Sequence, residues 1–272
     1  MIRLENRDIP FYVFSNLKCT GSIKHFVTTR SGGVSEEPFS SLNLGYGTDD
    51  FTIHVLENRH RMAQAMDIPL DYFVMANQVH GTHVEVVTKK MRSCGALYRD
   101  NSLLATDAMI TNVPEVCLFV MGADCVPILF FDPVRKVIGA AHAGWRGTVK
   151  KIAVETTRKM NEVFHCNMDD ILVGIGPSIG PCCYEVGTEV IQIVQQAFIN
   201  SQNLIIQEET GRNPIFNLWE ANKQQLIEAG VKETNIETAQ ICTKCHSDEF
   251  YSSRASNGNT GRFGAGIMLT YN

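Results

Sequence analysis

Val116 to Gly147 reads VCLFVMGADCVPILFFDPVRKVIGAAHAGWRG, and this stretch sets the fold class of the chain. Gly122 to Cys125 separates the apolar runs Val116 to Met121 and Val126 to Phe131, and a third run spans Val137 to His142. Short runs rich in β-branched and aromatic residues are strand chemistry, and the strands are expected at Val116 to Met121, Ile128 to Phe131 and Val137 to His142. None of these runs approaches the length that spans a bilayer.

Outward from this stretch, the same signal predicts strands at His25 to Thr29, Thr82 to Thr88, Asp107 to Thr111, Ile171 to Gly176 and Arg262 to Tyr271. Helical periodicity appears in His54 to Met66, where Val55, Met62, Ala65 and Met66 fall near one face. It returns in Thr148 to Phe164, Val186 to Ile199 and Asn217 to Ala229, with Gly230 as a C-terminal stop for the last. Strand-rich runs mixed with helices in this order read as α+β with substantial mixed sheet, not a regular βαβ alternation. No repeat, low-complexity tract or linker divides the chain. The polar stretch Glu208 to Asn213 reads as a loop between helices, so residues 1–272 are expected to form one domain.

Composition narrows the function classes. Of 272 residues, 44% are hydrophobic and 19% charged, a balance that supports a folded core. The net charge of −5, with Lys89-Lys90 and Lys150-Lys151 as isolated pairs, lacks the basic face that nucleic acid requires. The expected partner is a small molecule, with no nucleic acid and no membrane. Oligomeric state leaves no signal. The charged start, Met1 to Asp8, does not resemble an export signal, and a cytoplasmic location is expected. Nine cysteines, odd in number and scattered, are then reduced thiols and no disulfide framework, with Cys94, Cys117 and Cys166 as small core residues.

Three segments carry chemistry: Gln78-Val79-His80-Gly81, Ala123-Asp124-Cys125-Val126-Pro127 and His142-Ala143-Gly144-Trp145-Arg146-Gly147. His80, Cys125 and His142 offer two imidazoles and one thiol, a set that suits a soft divalent metal such as zinc with one position left open. Taken singly, each is also explained as a hydrogen-bonded histidine or a buried thiol. The flanks favour a site: Gly81, Gly144 and Gly147 allow close backbone approach, and Asp124 and Arg146 are charges set beside apolar runs, where an unpaired charge is costly. Copper is the alternative metal, since two histidines and a cysteine also make a blue-copper set. A multicopper oxidase needs a trinuclear cluster rich in His-X-His pairs as well, and none of the eight histidines forms one.

Other signals are weaker. Cys242-Thr243-Lys244-Cys245-His246 matches a haem-attachment pattern, but without an export signal it is read as a loop, with a second structural zinc as the lesser reading. His83-Val84-Glu85 mimics half of a cytidine-deaminase signature that is never completed. Gly174 to Val186 has the Gly/Pro density of a rigid loop feeding a helix, able to cradle a base or ribose or to bring Cys182 and Cys183 to the metal. Trp145 and Tyr184 are candidate stacking surfaces for a purine.

Several of these motifs, in order, resemble one family. They are Thr28 to Ser35, Ser41-Leu42-Asn43-Leu44, Gln78 to Gly81, Thr106-Asp107-Ala108, Ala123 to Pro127 and His142 to Gly147. Gly174 to Val186 and Ser252-Ser253-Arg254 through Gly261-Arg262 complete the set. The chain is similar from about Gly21 to Leu269 to the laccase-domain or "multicopper polyphenol oxidase" family, whose members are described as purine nucleoside phosphorylases. The resemblance implies a single α+β domain of layered mixed sheets flanked by helices, and a metal, usually zinc, on His80, Cys125 and His142. It also implies phosphorolysis of adenosine, inosine and methylthioadenosine, with adenosine deamination.

Residue chemistry is compatible with both reactions. Asp124 or Asp107 is placed to move a proton for deamination, the role a glutamate fills in other zinc deaminases. Arg146, with Arg30, Arg254 and Arg262, offers bidentate grips for phosphate. Asn43, Gln78, Gly144 and Trp145, all within the motifs, complete the expected substrate contacts. Two alternatives remain open at this stage. Some family members are described as peptidoglycan editing factors that cleave a misassembled precursor amide, by a metal-activated water or a Cys125–His142 dyad. A non-catalytic purine-binding module would instead close its metal with a fourth protein ligand, such as His83 or Cys182.

Overall fold

The apolar runs become strands of two facing sheets in a computed structural model that describes residues 1–18, 21–207 and 213–271. In chain order the strands are β1 (Ile2–Asn6), β2 (Ile9–Val13), β3 (Ile23–Thr28), β4 (Phe73–Met75), β5 (Val84–Val86), β6 (Ala108–Thr111) and β7 (Cys117–Gly122). They continue with β8 (Val126–Asp132), β9 (Val137–Ala143), β10 (Leu172–Ile175), β11 (Ile205–Ile206), β12 (Ile215–Phe216), β13 (Ile236–Thr238) and β14 (Phe263–Leu269). The helices are α1 (Ser15–Lys18), α2 (Thr52–Ala65), α3 (Trp145–Val149), α4 (Ile152–Phe164), α5 (Thr188–Ala197) and α6 (Leu218–Glu228). One sheet runs β1-β2-β3-β14-β7-β4 and the other β13-β10-β8-β9-β6-β5, while β11 and β12 form a separate ribbon. Both large sheets are mixed: β4 pairs parallel with β7, β5 with β6 and β10 with β13, among otherwise antiparallel ladders. The class is α+β, as the pattern of runs indicated.

The central strands are apolar on both sides because both faces are covered. Along β8, Leu129 and Phe131 turn into the layer between the sheets, while Ile128 and Phe130 turn toward the helices. On β7, Leu118 and Val120 face the opposite sheet, and Cys117 and Phe119 pack with Met62 and Met66 at the end of α2. The result is four layers, with α2 outside the first sheet and α4 and α6 outside the second. Each fully buried Leu, Ile or Phe contributes about 1.5–3 kcal/mol, so the period-two signal is overridden by burial on both faces.

Several elements differ from the sequence expectation. The β1–β2 hairpin turns on Arg7 and Asp8, with φ of 51° and 61°. Both are left-handed, as a two-residue hairpin requires, but the usual Asn-Gly signal is missing. The helix expected from Thr148 is instead α3 followed by α4, because Lys151 adopts φ 66° and interrupts the run. β4 is too short to announce itself. Gly230 ends the last helix at φ 100°, as expected, and Asn217 caps its start by accepting from the Glu220 N–H. Of the expected loop Glu208 to Asn213, all but Asn213 lies outside the described residues. No described helix is long and apolar enough to cross a membrane.

Candidate metal centre and cleft

His80, Cys125 and His142 converge where the chain passes from one sheet to the other. Cys125 sits in the turn between β7 and β8, which belong to different sheets, and His142 lies near the end of β9. His80 projects from the loop after β4, in a left-handed conformation of φ 60°. The ligand atoms of the three side chains all lie within 4.8 Å of one another, with Cys125 Sγ 3.8 Å from His80 Nε2. Zn–N bonds of about 2.0–2.1 Å and Zn–S bonds of about 2.3 Å need spacings of this order, so the set fits zinc without rearrangement.

Asp107 holds this geometry. Its carboxylate accepts the N–H groups of Val79, His80 and Gly81 at 3.1, 2.9 and 2.7 Å. Three successive N–H groups aimed at one anion stabilise the strained His80 backbone. The same carboxylate bonds His142 Nδ1 at 2.9 Å, so Nε2 is the ring nitrogen left to face a metal. A carboxylate behind a histidine ligand is the usual support of such centres. Burial opposes the Asp107 charge, but these partners hold its pKa below the usual value.

The thiol and the imidazole are tuned to each other. Burial alone would raise the Cys125 thiol, yet the facing His142 and His80 pull it down to about 6. Burial would likewise lower His142, but the Cys125 sulfur and the Asp107 carboxylate push it up to about 9. Without metal, their mutual attraction favours the thiolate–imidazolium form of the pair.

Gly144 leaves no room for a side chain. A Cβ there would stand 2.8 Å from His80 Cδ2 and 2.9 Å from Cys125 Sγ, both on ligand side chains. Gly144→Ala must therefore push at least one ligand aside. We expect zinc affinity to fall by about 10–100-fold, the range seen when support of a ligand is lost, with about 1–3 kcal/mol of overpacking strain. Chelator competition and thermal melting of the zinc-loaded variant measure the two; wild-type zinc affinity would contradict the geometry.

The metal set lies in a cavity of about 400 Å³, within the range of small-molecule sites. Tyr46, Met75 and Met121 provide aromatic and apolar lining, while the charged lining residues are Arg59, Arg99 and Arg262, with no carboxylate among them. Arg59 is only 1% exposed and meets no acid: Nε donates to Leu44 O at 2.8 Å, and Nη1 to Gly95 O and Ala96 O at 2.5 and 2.8 Å. Its Nη2 meets only the Met121 thioether, at 3.9 Å, and its guanidinium lies 4.0 Å over the Tyr46 ring. Burial lowers its pKa to about 10. Arg262 donates Nη1 to Thr260 O and Gly261 O, and burial lowers its pKa too, although Cys125 and Asp124 oppose this.

The other expected residues are distributed as follows. Gln78 lines the cleft, but its amide is engaged with the backbone of Met121, donating to O at 2.8 Å and accepting from N at 2.9 Å. Asp124 lies beside Cys125 at φ 86° and accepts from Thr243 Oγ1 and the Arg254 N–H, both at 2.7 Å. Each carboxylate oxygen thus has a structural partner, as in Asp107, and neither carboxylate lines the cleft. Arg30 lies outside the cleft and ties loops together through Ser40 O and Ser247 O. Asn43 is fully buried, accepting from the Arg262 and Gly45 N–H groups, so it positions the cleft wall without lining it. Arg146 lies over the Trp145 ring, and Arg254 over Tyr184 while donating to Glu185 O. These three, with Tyr184, flank the centre but do not line the cavity.

His83 pairs with Glu85 at 3.1 Å and Cys182 lies among other cysteines, so neither supplies the fourth ligand that a closed structural site would need. Arg59 and Arg99 carried no motif. A signal for Arg59 was nonetheless present: it falls on the apolar face of α2, between Val55 and Met62, where a charge requires a reason.

Comparison with known proteins places the chain in a family. Residues 24–270 match the family described as multi-copper polyphenol oxidoreductase laccase, and the chain belongs to that family. A purine nucleoside phosphorylase from Bacteroides thetaiotaomicron is 37% identical over 94% of this chain and 95% of its own. A protein named adenosine deaminase, from an unknown prokaryotic organism, is 32% identical over 98% of this chain and 99% of its own. The crystal structure of YlmD from Geobacillus stearothermophilus superposes with a TM-score of 0.92 at 35% identity, over 98% of both chains. The chain is an enzyme of this family.

Proposed function

We propose that the protein is a zinc-dependent purine nucleoside phosphorylase, acting on adenosine, inosine and methylthioadenosine, with adenosine deamination at the same centre. The observation that carries this reading is the company the metal set keeps. Among the described residues, three donors without a fourth protein ligand meet a cleft whose charged lining is three arginines and no acid. An open coordination position beside a carboxylate-free cationic wall suits a phosphate co-substrate. The relatives named purine nucleoside phosphorylase and adenosine deaminase support both activities.

When bound, zinc supplies Lewis acidity and lowers the pKa of water at its open position to about 7. Asp107 keeps the His142 Nδ1 protonated and the ring oriented. Arg59, Arg99 and Arg262 bind and orient phosphate so that an oxygen attacks the ribose C1′ as its bond to the purine nitrogen breaks. The products are the free base and the sugar 1-phosphate: ribose 1-phosphate from adenosine or inosine, and its 5-methylthio analogue from methylthioadenosine. Met75, Met121 and Tyr46 provide the apolar surface a purine needs. Thiol ligands and free cysteines fit a reducing, cytoplasmic setting.

The test is to incubate zinc-loaded protein with inosine, adenosine or methylthioadenosine, with and without phosphate, and to separate the products. Free base should appear only with phosphate, and inosine should form from adenosine in its absence. No base above a Cys125→Ala control would reject the reading. Activity that survives chelation and dies on thiol alkylation would point instead to a Cys125–His142 dyad.

A further inference from the structure

A second sulfur cluster lies apart from the metal centre just described. Cys182, Cys183, Cys242 and Cys245 bring four sulfurs within 4.8 Å of one another. Cys245 Sγ lies 3.5 Å from Cys182 Sγ and 3.4 Å from Cys183 Sγ. A disulfide needs about 2.05 Å, whereas the edge of a tetrahedron with Zn–S bonds of about 2.3 Å is about 3.8 Å. The two observed spacings are far too long for a disulfide and lie within a few tenths of an ångström of the tetrahedral edge. Two of the ligands form a C-x-x-C pair and the other two are adjacent in sequence, so each of two loops supplies a pair.

The backbone around Cys242 is arranged to hold a thiolate. The Gly180 N–H donates to Cys242 Sγ at 3.2 Å, and backbone N–H groups of Cys245 and Lys244 point at the same sulfur. N–H groups two and three residues beyond a cysteine, turned back onto its sulfur, stabilise negative charge there. The loops are already adjoined: Ser178 bridges Cys242, the Ser178 N–H donates to Ile241 O, and the Thr243 N–H donates to Ser178 O.

We infer that these four cysteines form a structural zinc site, closed by protein alone and distinct from the open His80–Cys125–His142 centre. All-sulfur tetrahedral donors select zinc or iron over copper(II), and four protein ligands leave no position for chemistry. The site clamps the loop 176–187 to the loop 239–250. Its effect reaches the active centre by a short path, because Thr243, between Cys242 and Cys245, donates to the carboxylate of Asp124, the neighbour of Cys125. The C-x-x-C-H motif, read from sequence as a loop with a second structural zinc as the lesser reading, is therefore half of a metal site.

The experiment is metal analysis of reduced, purified protein by mass spectrometry. The wild type should carry about two zinc ions per chain, and His80→Ala/Cys125→Ala about one. Cobalt substituted into that double variant should show the intense visible bands and sulfur charge-transfer absorption of a tetrahedral thiolate site. Cys245→Ser should lose one equivalent and melt at lower temperature; if it does not fold, the wild-type and double-variant counts decide. One zinc in the wild type and none in the folded double variant would overturn the inference. So would iron in place of zinc, or an intact mass showing the four cysteines joined as disulfides.

Discussion

Cys125→Ala should remove the zinc from the open centre and lower kcat/KM for inosine phosphorolysis by about a thousandfold or more. Metal catalysis contributes several kcal/mol of transition-state stabilisation, and each 1.36 kcal/mol is about tenfold in rate. Removing the only sulfur ligand leaves two imidazoles, His80 and His142, which cannot hold zinc in place alone. The cleft and its arginines stay intact, so substrate binding should be far less affected than turnover. A variant that keeps its zinc at this centre and loses less than about tenfold would sink the assignment.

The pH dependence follows from the same pair. Cys125 is held at about 6, below its ordinary 9.0, so its contribution to stability is present at high pH and lost as pH falls through about 6. His142 is raised to about 9 from 6.5, so its contribution is present at low pH and lost as pH rises through about 9. The two trends oppose each other between about pH 6.5 and 9, so zinc-stripped wild type should hold a nearly level stability there, and Cys125→Ala, which removes the rising half, should lose that plateau. Melting temperature against pH for the two stripped proteins reads this directly.

The parts legible in the sequence were those with a local signature. Strands such as β7, β8 and β9 are buried on both faces, so hydrophobicity alone identified them. The three side chains of the candidate metal centre were legible because imidazole and thiol are rare at strand ends and stood in glycine-rich company, and the fold brings them together. What sequence could not rank was orientation. Asp107 and Asp124 both read as proton carriers, but each carboxylate is filled by structural partners, and only folding brings Val79–Gly81 onto one and Thr243 and Arg254 onto the other. Arg30 and Asn43 also lay in the motifs, but their side chains tie loops that shape the cleft and do not line it. The sulfur cluster was split between loops about 60 residues apart, and no spacing rule joins Cys182-Cys183 to Cys242-x-x-Cys245.

Arg59→Met should separate phosphorolysis from deamination. Arg59 is fully buried yet faces no carboxylate, and three backbone carbonyls occupy Nε and Nη1, leaving Nη2 toward the cleft. Such a guanidinium carries an uncompensated charge, costly to bury unless an anion arrives. Each charge-assisted hydrogen bond to that anion contributes about 1.5–3 kcal/mol, so losing one or two should raise the KM for phosphate by about a hundredfold or more. Deamination of adenosine uses no phosphate and should change by less than about tenfold, because the metal ligands are untouched. Stability should move little, since carbonyls left without donors lose about 1–3 kcal/mol each while the desolvation of a buried cation is relieved. Zinc content and melting temperature report whether the fold survives. Arg59→Lys keeps a charge but not the fork, and should recover only part of the phosphate affinity. An unchanged KM for phosphate in a folded, zinc-loaded Arg59→Met would remove Arg59 from the anion site. The burden would then pass to Arg99 and Arg262 at the same cavity, where the same pair of substitutions distinguishes a phosphate ligand from a wall.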